Sequence, residues 1–128
     1  MLITGVDLVE TSRIARALSR WGPSFELRVW TSAERHHCRG RIESLAVRWA
    51  AKEAIAKALG VGLRGLGKPS EGVAWTDIEV GRDALGRPLV VLYGDAQKRA
   101  AVLGIREWSL SMSHSGGMAI AFVAALGA

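Results

Sequence analysis

The apolar positions change period several times along the chain, and each change marks an element. From Leu2 to Val9 β-branched and apolar residues predict a strand, interrupted by Gly5 and by one carboxylate, Asp7. An acid inside such a strand lies at an edge, caps the next helix or holds a cation. Ile14, Ala17, Leu18 and Trp21 then follow the i, i+3, i+4, i+7 spacing of a helix, capped by Thr11 or Ser12 and ended by Gly22-Pro23. Ser24 to Trp30 is a short amphipathic piece. Thr31-Ser32-Ala33-Glu34 has the form of a capping box that opens another short helix. Gly40 separates it from a long helix, about Ile42 to Leu59, for which Gly60 is the C-cap.

Beyond that helix the pattern turns to strands. Gly60 to Gly72 is rich in glycine and reads as a loop, not a domain linker. Its Gly67-Lys68-Pro69-Ser70 only superficially imitates a phosphate-binding loop, which precedes a helix where this one follows a helix. Trp75 to Val80 and Pro88 to Tyr93 are strands joined by the turn residues Asp83, Gly86 and Arg87, a predicted hairpin. Asp95 to Leu103 is a helix ended by Gly104. Glu107 to Ser113 and Met118 to Leu126 are two more strands, with His114 in the turn between them. One domain, residues 1–128, accommodates all of this.

The long helix carries the first sign of chemistry. Wound at about 100° per residue, Leu45, Ala46, Trp49, Ala50, Glu53, Ala56 and Lys57 share one side. That side is apolar except for Glu53 and Lys57. A carboxylate among such neighbours needs a cation, a hydrogen bond or a water-filled cleft, and Lys57, one turn on, is the nearest partner.

Charge narrows the choice of partners. The net charge of +5 lies in the first half, and 13 of the 17 basic residues are arginine, the side chain suited to bidentate binding of phosphate or carboxylate. Arg13, Arg16 and Arg20 form a stripe on the first helix with no acid interleaved, which points to an acidic docking partner. Cys38 has no second cysteine to pair with. His36-His37-Cys38 lacks the spaced ligand pairs of a zinc site. No apolar run reaches membrane-spanning length and the start lacks a signal-peptide pattern, so a cytoplasmic protein is expected. A non-catalytic docking module would use the arginine stripe but leave Asp7 and Glu53 unexplained. A nucleic-acid binder lacks any accompanying motif.

Taken in order, Gly5-Val6-Asp7, Trp49-Ala50-Ala51-Lys52-Glu53-Ala54, Trp75-Thr76-Asp77-Ile78-Glu79-Val80 with Gly86-Arg87-Pro88, and Leu110-Ser111-Met112-Ser113-His114-Ser115 resemble the holo-acyl-carrier-protein synthases. These are short 4′-phosphopantetheinyl transferases, and the likeness runs from Leu2 to Val123. It implies transfer of the phosphopantetheine arm of coenzyme A to a serine of apo-acyl carrier protein, releasing adenosine 3′,5′-bisphosphate, in fatty acid or polyketide biosynthesis. Asp7 and Glu53 match the family's Mg²⁺-binding carboxylates, a donor set that fits this hard cation when substrate phosphate and water complete its shell. With Lys57, beside the pyrophosphate, they are the expected catalytic set. Arg48, Lys57, Gly60 and His114 match positions that bind coenzyme A. Glu34 matches a recurrent acid that orders a water. The serine proton goes to a metal-bound water, to Glu53 or to another carboxylate. Arg13, Arg16 and Arg20 match the face that docks the carrier protein. The implied fold is α+β, a compact antiparallel sheet packed on a long helix, forming a homotrimer with active sites between protomers. Trp49 stands where the family generally has phenylalanine, and the Gly60 to Gly72 loop is longer than usual.

Overall fold

The computed structural model describes residues 1–64 and 72–127. Gly67-Lys68-Pro69-Ser70 therefore lies outside the described residues. Strand β1 (Leu2–Glu10) leads into α1 (Thr11–Val29), α2 (Ser32–Cys38) and the long α3 (Ile42–Leu59). A short 3-10 turn (Trp75–Asp77) precedes β2 (Ile78–Arg82) and β3 (Pro88–Leu92), followed by α4 (Gly94–Val102), β4 (Ile105–Ser115) and β5 (Met118–Gly127). The chain is thus α+β. Its strands form a three-stranded antiparallel sheet in the order β1-β5-β4 and a separate hairpin, β2-β3. Among the described residues no helix is long and apolar enough to cross a membrane.

The inner face of the larger sheet holds Ile3, Gly5, Asp7 and Val9 of β1, with Ala125, Val123, Ala121 and Ala119 opposite them on β5. Beyond these on β4 stand Trp108, Leu110, Met112 and His114. Helix α3 packs on this face, and the small side chains of β5 are what let it come close. The approach is tightest at Gly5: a Cβ there would overlap the Ala54 carbonyl oxygen and lie 2.9 Å from its carbon. Only glycine fits this seam.

Helix α3 has more than the single buried side expected. Every residue from Leu45 to Lys52 is buried, as are Ala54, Ile55, Ala56, Ala58 and Leu59. It is the central core helix, wrapped by the sheet, α1 and the hairpin, and a helix in that setting is buried all round. Lys57 is exposed and Glu53 half-buried, which marks the side where the wrapping is open.

Several local readings change. The first helix does not end at Gly22-Pro23. It kinks there, with Gly22 at φ 61° and ψ −144°, and continues to Val29. A proline starting the second half has lost no hydrogen bond it could have made, so the break becomes a bend. Its N-cap is Glu10, without a side-chain cap, because the Thr11 hydroxyl donates to Gly117 O at 3.2 Å instead. Trp75–Asp77 turns as a 3-10 helix before the strand begins at Ile78. His114 lies within β4, paired with Ala119, and the tight turn is made by Gly116 and Gly117, both at positive φ. By contrast, the Thr31–Glu34 capping box forms, with Glu34 N donating to Thr31 Oγ1 at 3.2 Å and Thr31 N to Glu34 Oε1 at 2.9 Å. Gly60 caps α3 in the left-handed conformation at φ 71°.

Candidate active site

Asp7 points from β1 toward α3, one row of the sheet beyond the Gly5 contact. Lys57 reaches across the seam and donates to Asp7 Oδ1 at 3.0 Å and to Val6 O at 2.9 Å. Its partner is therefore the strand carboxylate, not Glu53 one turn before it on the helix. Burial raises the pKa of Glu53, and the neighbouring Asp7 carboxylate raises it further, while Lys57 and Arg13 oppose the shift. Sequence-distant Asp7, Glu53 and Lys57 are thus brought together by the packing of α3 on β1. Two acids in one half-buried place, one of them resisting ionisation, create a deficit of positive charge that Lys57 and the nearby Arg13 only partly fill.

Among the described residues there is no group of three or more His, Cys, Asp or Glu side chains able to hold a metal. A pair is nevertheless the donor set Mg²⁺ uses when water and substrate phosphates supply the remaining oxygens. The chemistry of these two carboxylates fits such an ion.

Gly60 lies just past Lys57 at the same end of α3, where Arg99 Nε donates to Leu59 O at 2.9 Å. His114 stands exposed on the inner face of β4, in the row of Val9, two strands across from β1. Arg48 is elsewhere. Nine residues before Lys57, it projects from nearly the opposite side of α3. It is 1% exposed, gives one hydrogen bond to Ser44 O at 3.1 Å and leaves its Nε without a partner. Desolvation lowers its pKa, and Arg82 and Arg41 push the same way. His37 belongs to this basic group: burial and then Arg48, Arg82 and Arg41 lower its pKa. Arg41 and Arg82 were missed from sequence, since they come from a loop and a hairpin far apart in the chain.

Glu34 is built into the core, 1% exposed. Its Oε1 takes Thr31 N and lies 2.7 Å from Lys52 Nζ, and its Oε2 takes Val80 N at 2.9 Å, so both oxygens are committed within the core. Lys52 was also missed, although its place beside Glu53 was the available signal.

The arginine stripe borders an aromatic cleft of about 440 Å³ lined by Arg13, Trp21, Phe25, Arg28 and Trp49, among others. Arg13 lies over the Trp49 ring, 5.9 Å from its centroid, and Arg20 over Trp21 at 4.9 Å. Trp49 in turn stacks on Trp75 with centroids 4.1 Å apart.

Comparison with known proteins shows the family of the chain. Residues 3–123 match the 4′-phosphopantetheinyl transferase superfamily. A holo-acyl-carrier-protein synthase of Herpetosiphon aurantiacus is 61% identical over 99% of this chain and 100% of its own. The Chronobacterium ammoniagenes ACPS–coenzyme A complex superposes with a TM-score of 0.83 at 38% identity, covering 100% of this chain and 98% of that one. The Helicobacter pylori holo-acyl-carrier-protein synthase in complex with coenzyme A superposes at 0.80 with 28% identity, covering 97% and 100%. The chain is a 4′-phosphopantetheinyl transferase by superfamily, and within it belongs to the holo-acyl-carrier-protein synthase family.

Proposed function

We propose that this chain transfers the 4′-phosphopantetheine group of coenzyme A to a serine hydroxyl of an apo-acyl carrier protein, leaving adenosine 3′,5′-bisphosphate. The serine oxygen bonds to the pantetheine-side phosphorus, the bridging P–O bond of the pyrophosphate breaks with its electron pair leaving on adenosine 3′,5′-bisphosphate, and the serine proton passes to a water or to a carboxylate such as Glu53. What carries the reading is the meeting of Asp7, Glu53 and Lys57 at the β1–α3 seam in a chain of this family. Asp7 and Glu53 would hold Mg²⁺, which, when bound, offsets the pyrophosphate charge and makes phosphorus more electrophilic. Lys57, 55% exposed, is free to exchange Asp7 for a phosphate oxygen. Gly60 and His114 belong to the coenzyme A surface in this reading, and the exposed Arg41 and Arg82 receive a phosphate of the nucleotide end, with the buried Arg48 adding its charge from behind them.

Because Arg48 and Lys57 face opposite ways on one helix, a single coenzyme A is most simply shared where two copies meet. A surface for that meeting exists. The outer face of the larger sheet exposes Leu2, Val6, Leu8, Ile120, Phe122 and Leu126, between 41% and 69% accessible, an apolar patch that water disfavours. It supports the homotrimer with sites between protomers. The carrier protein docks on α1 through Arg13, Arg16 and Arg20, its acidic face complementing their charge.

Intact-mass spectrometry of an apo-carrier protein incubated with this chain and coenzyme A tests the reaction. A gain of one phosphopantetheine group with Mg²⁺ and none with chelator is expected. No gain on several carriers by a folded enzyme would overturn it.

A further inference from the structure

Away from the carboxylate pair, Lys52 and Glu34 form an ion pair with both side chains wholly buried, an arrangement costly to desolvate. An ammonium this deep is tolerated only when every donor is used. Lys52 Nζ donates to Trp75 O at 3.0 Å and to Ile78 O, and pairs with Glu34 Oε1 at 2.7 Å. Glu34 in turn holds the first residue of its own capping box and the Val80 amide. One buried cation therefore joins α3 to α2, to the 3-10 turn and to β2.

Its position on α3 supplies a reason for that cost. Glu53 is flanked by two residues whose settings are locked from different directions. Ala54 is held by backbone contact with Gly5 on β1, and Lys52 is held by the carbonyls of the turn and by Glu34. Together they fix the rotation of the helix about its own axis. At a side-chain radius of about 5–6 Å, a rotation of about 20° carries the tip about 2 Å. That would separate Glu53 from Asp7 by more than an ion demanding near-ideal octahedral oxygens at about 2.0–2.1 Å tolerates.

We infer that Lys52 is a positioning residue: through the carbonyls of Trp75 and Ile78 and the carboxylate of Glu34 it sets the rotation of α3 that presents Glu53 to Asp7. It touches neither substrate nor cation. The inference rests on the reading of Asp7 and Glu53 as the cation-binding pair.

The test is Lys52→Met combined with Glu34→Gln, which removes both charges and leaves no carboxylate buried alone. Lys52→Gln combined with Glu34→Gln, which keeps an amide donor group for the Trp75 and Ile78 carbonyls, is the milder second variant. Binding of Mn²⁺ is read by electron paramagnetic resonance in the presence of coenzyme A, alongside thermal melts and steady-state kinetics at low temperature. The folded variants are expected to bind Mn²⁺ about 10- to 100-fold more weakly, to need correspondingly more Mg²⁺ for half-maximal rate, and to keep the KM for carrier protein within about twofold. A lowered melting temperature with unchanged Mn²⁺ affinity makes the pair a structural anchor alone and overturns the inference. So does failure of both variants to fold. Absence of Mn²⁺ binding to the unaltered enzyme, with Asp7→Asn no different from it, would instead bring down the assignment of Asp7 and Glu53 and the inference with it.

Discussion

Lys57 Nζ lies 3.0 Å from Asp7 Oδ1, joining a residue near the end of α3 to one in the first strand. The contact crosses the seam that the absent side chain of Gly5 makes possible. It couples the packing of the fold to the charge balance of the site, and the consequences are measurable.

Replacing Gly5 by alanine should be severely destabilising, by about 3 kcal/mol or more, because the added methyl meets the backbone of α3 and not a movable side chain. Gly62→Ala, where a Cβ meets nothing within 4 Å, should stay within about 0.5 kcal/mol. Urea denaturation of both checks this. Similar midpoints for the two variants would contradict the close packing of β1 on α3.

Lys57→Met should lower kcat/KM for coenzyme A by about 100-fold while leaving stability within about 1 kcal/mol, since an ion pair with an exposed lysine contributes little to folding. Kinetics paired with a melting curve separates the two effects. A large loss of stability with kinetics intact would make Lys57 a structural tether.

The acidity of Glu53 predicts a pH dependence. Burial and Asp7 raise its folded pKa above its unfolded value. The folded chain therefore keeps this proton where the unfolded chain releases it. The stability gained is complete below the ordinary carboxylate range and is lost as pH rises through the raised value. Without divalent cation, Glu53→Gln should gain a few degrees in melting temperature relative to the parent between about pH 4 and neutrality. Parallel melting curves across that range would refute this. Mg²⁺ with coenzyme A should then stabilise the parent and not the variant.

Reversing the charges of Arg13, Arg16 and Arg20 together should raise the KM for carrier protein about tenfold or more and change that for coenzyme A by less than about twofold. Added salt should weaken the carrier interaction of the unaltered enzyme in the same direction. Equal effects on both substrates would remove the docking role.

If the proposed trimer forms through the exposed apolar face of β5, Phe122→Asp should dissociate it and reduce transfer about 100-fold or more, because a site shared between copies then loses its neighbour. Analytical ultracentrifugation follows the first effect and the mass-spectrometric assay the second. A fully active monomer would place the complete site within one chain.

What the sequence by itself determined was whatever depends on neighbours a few residues apart. The capping box of Thr31 and Glu34, the left-handed cap at Gly60 and the extent of α3 are local hydrogen-bonding and steric choices, and all were legible. So were Asp7 and Glu53 as misplaced acids, because a carboxylate in an apolar pattern stands out before any fold is known. Only the tertiary structure decided partners. Lys57 turns to Asp7 because Gly5 brings β1 against α3, where the lone helix offers Glu53. Glu34 is spent on Lys52 and Val80, contacts reaching across 18 and 46 positions. His114 joins a strand because β5 extends far enough to pair with it. Such outcomes depend on which distant surfaces the core presses together, and the spacing of residues along a chain carries no record of that.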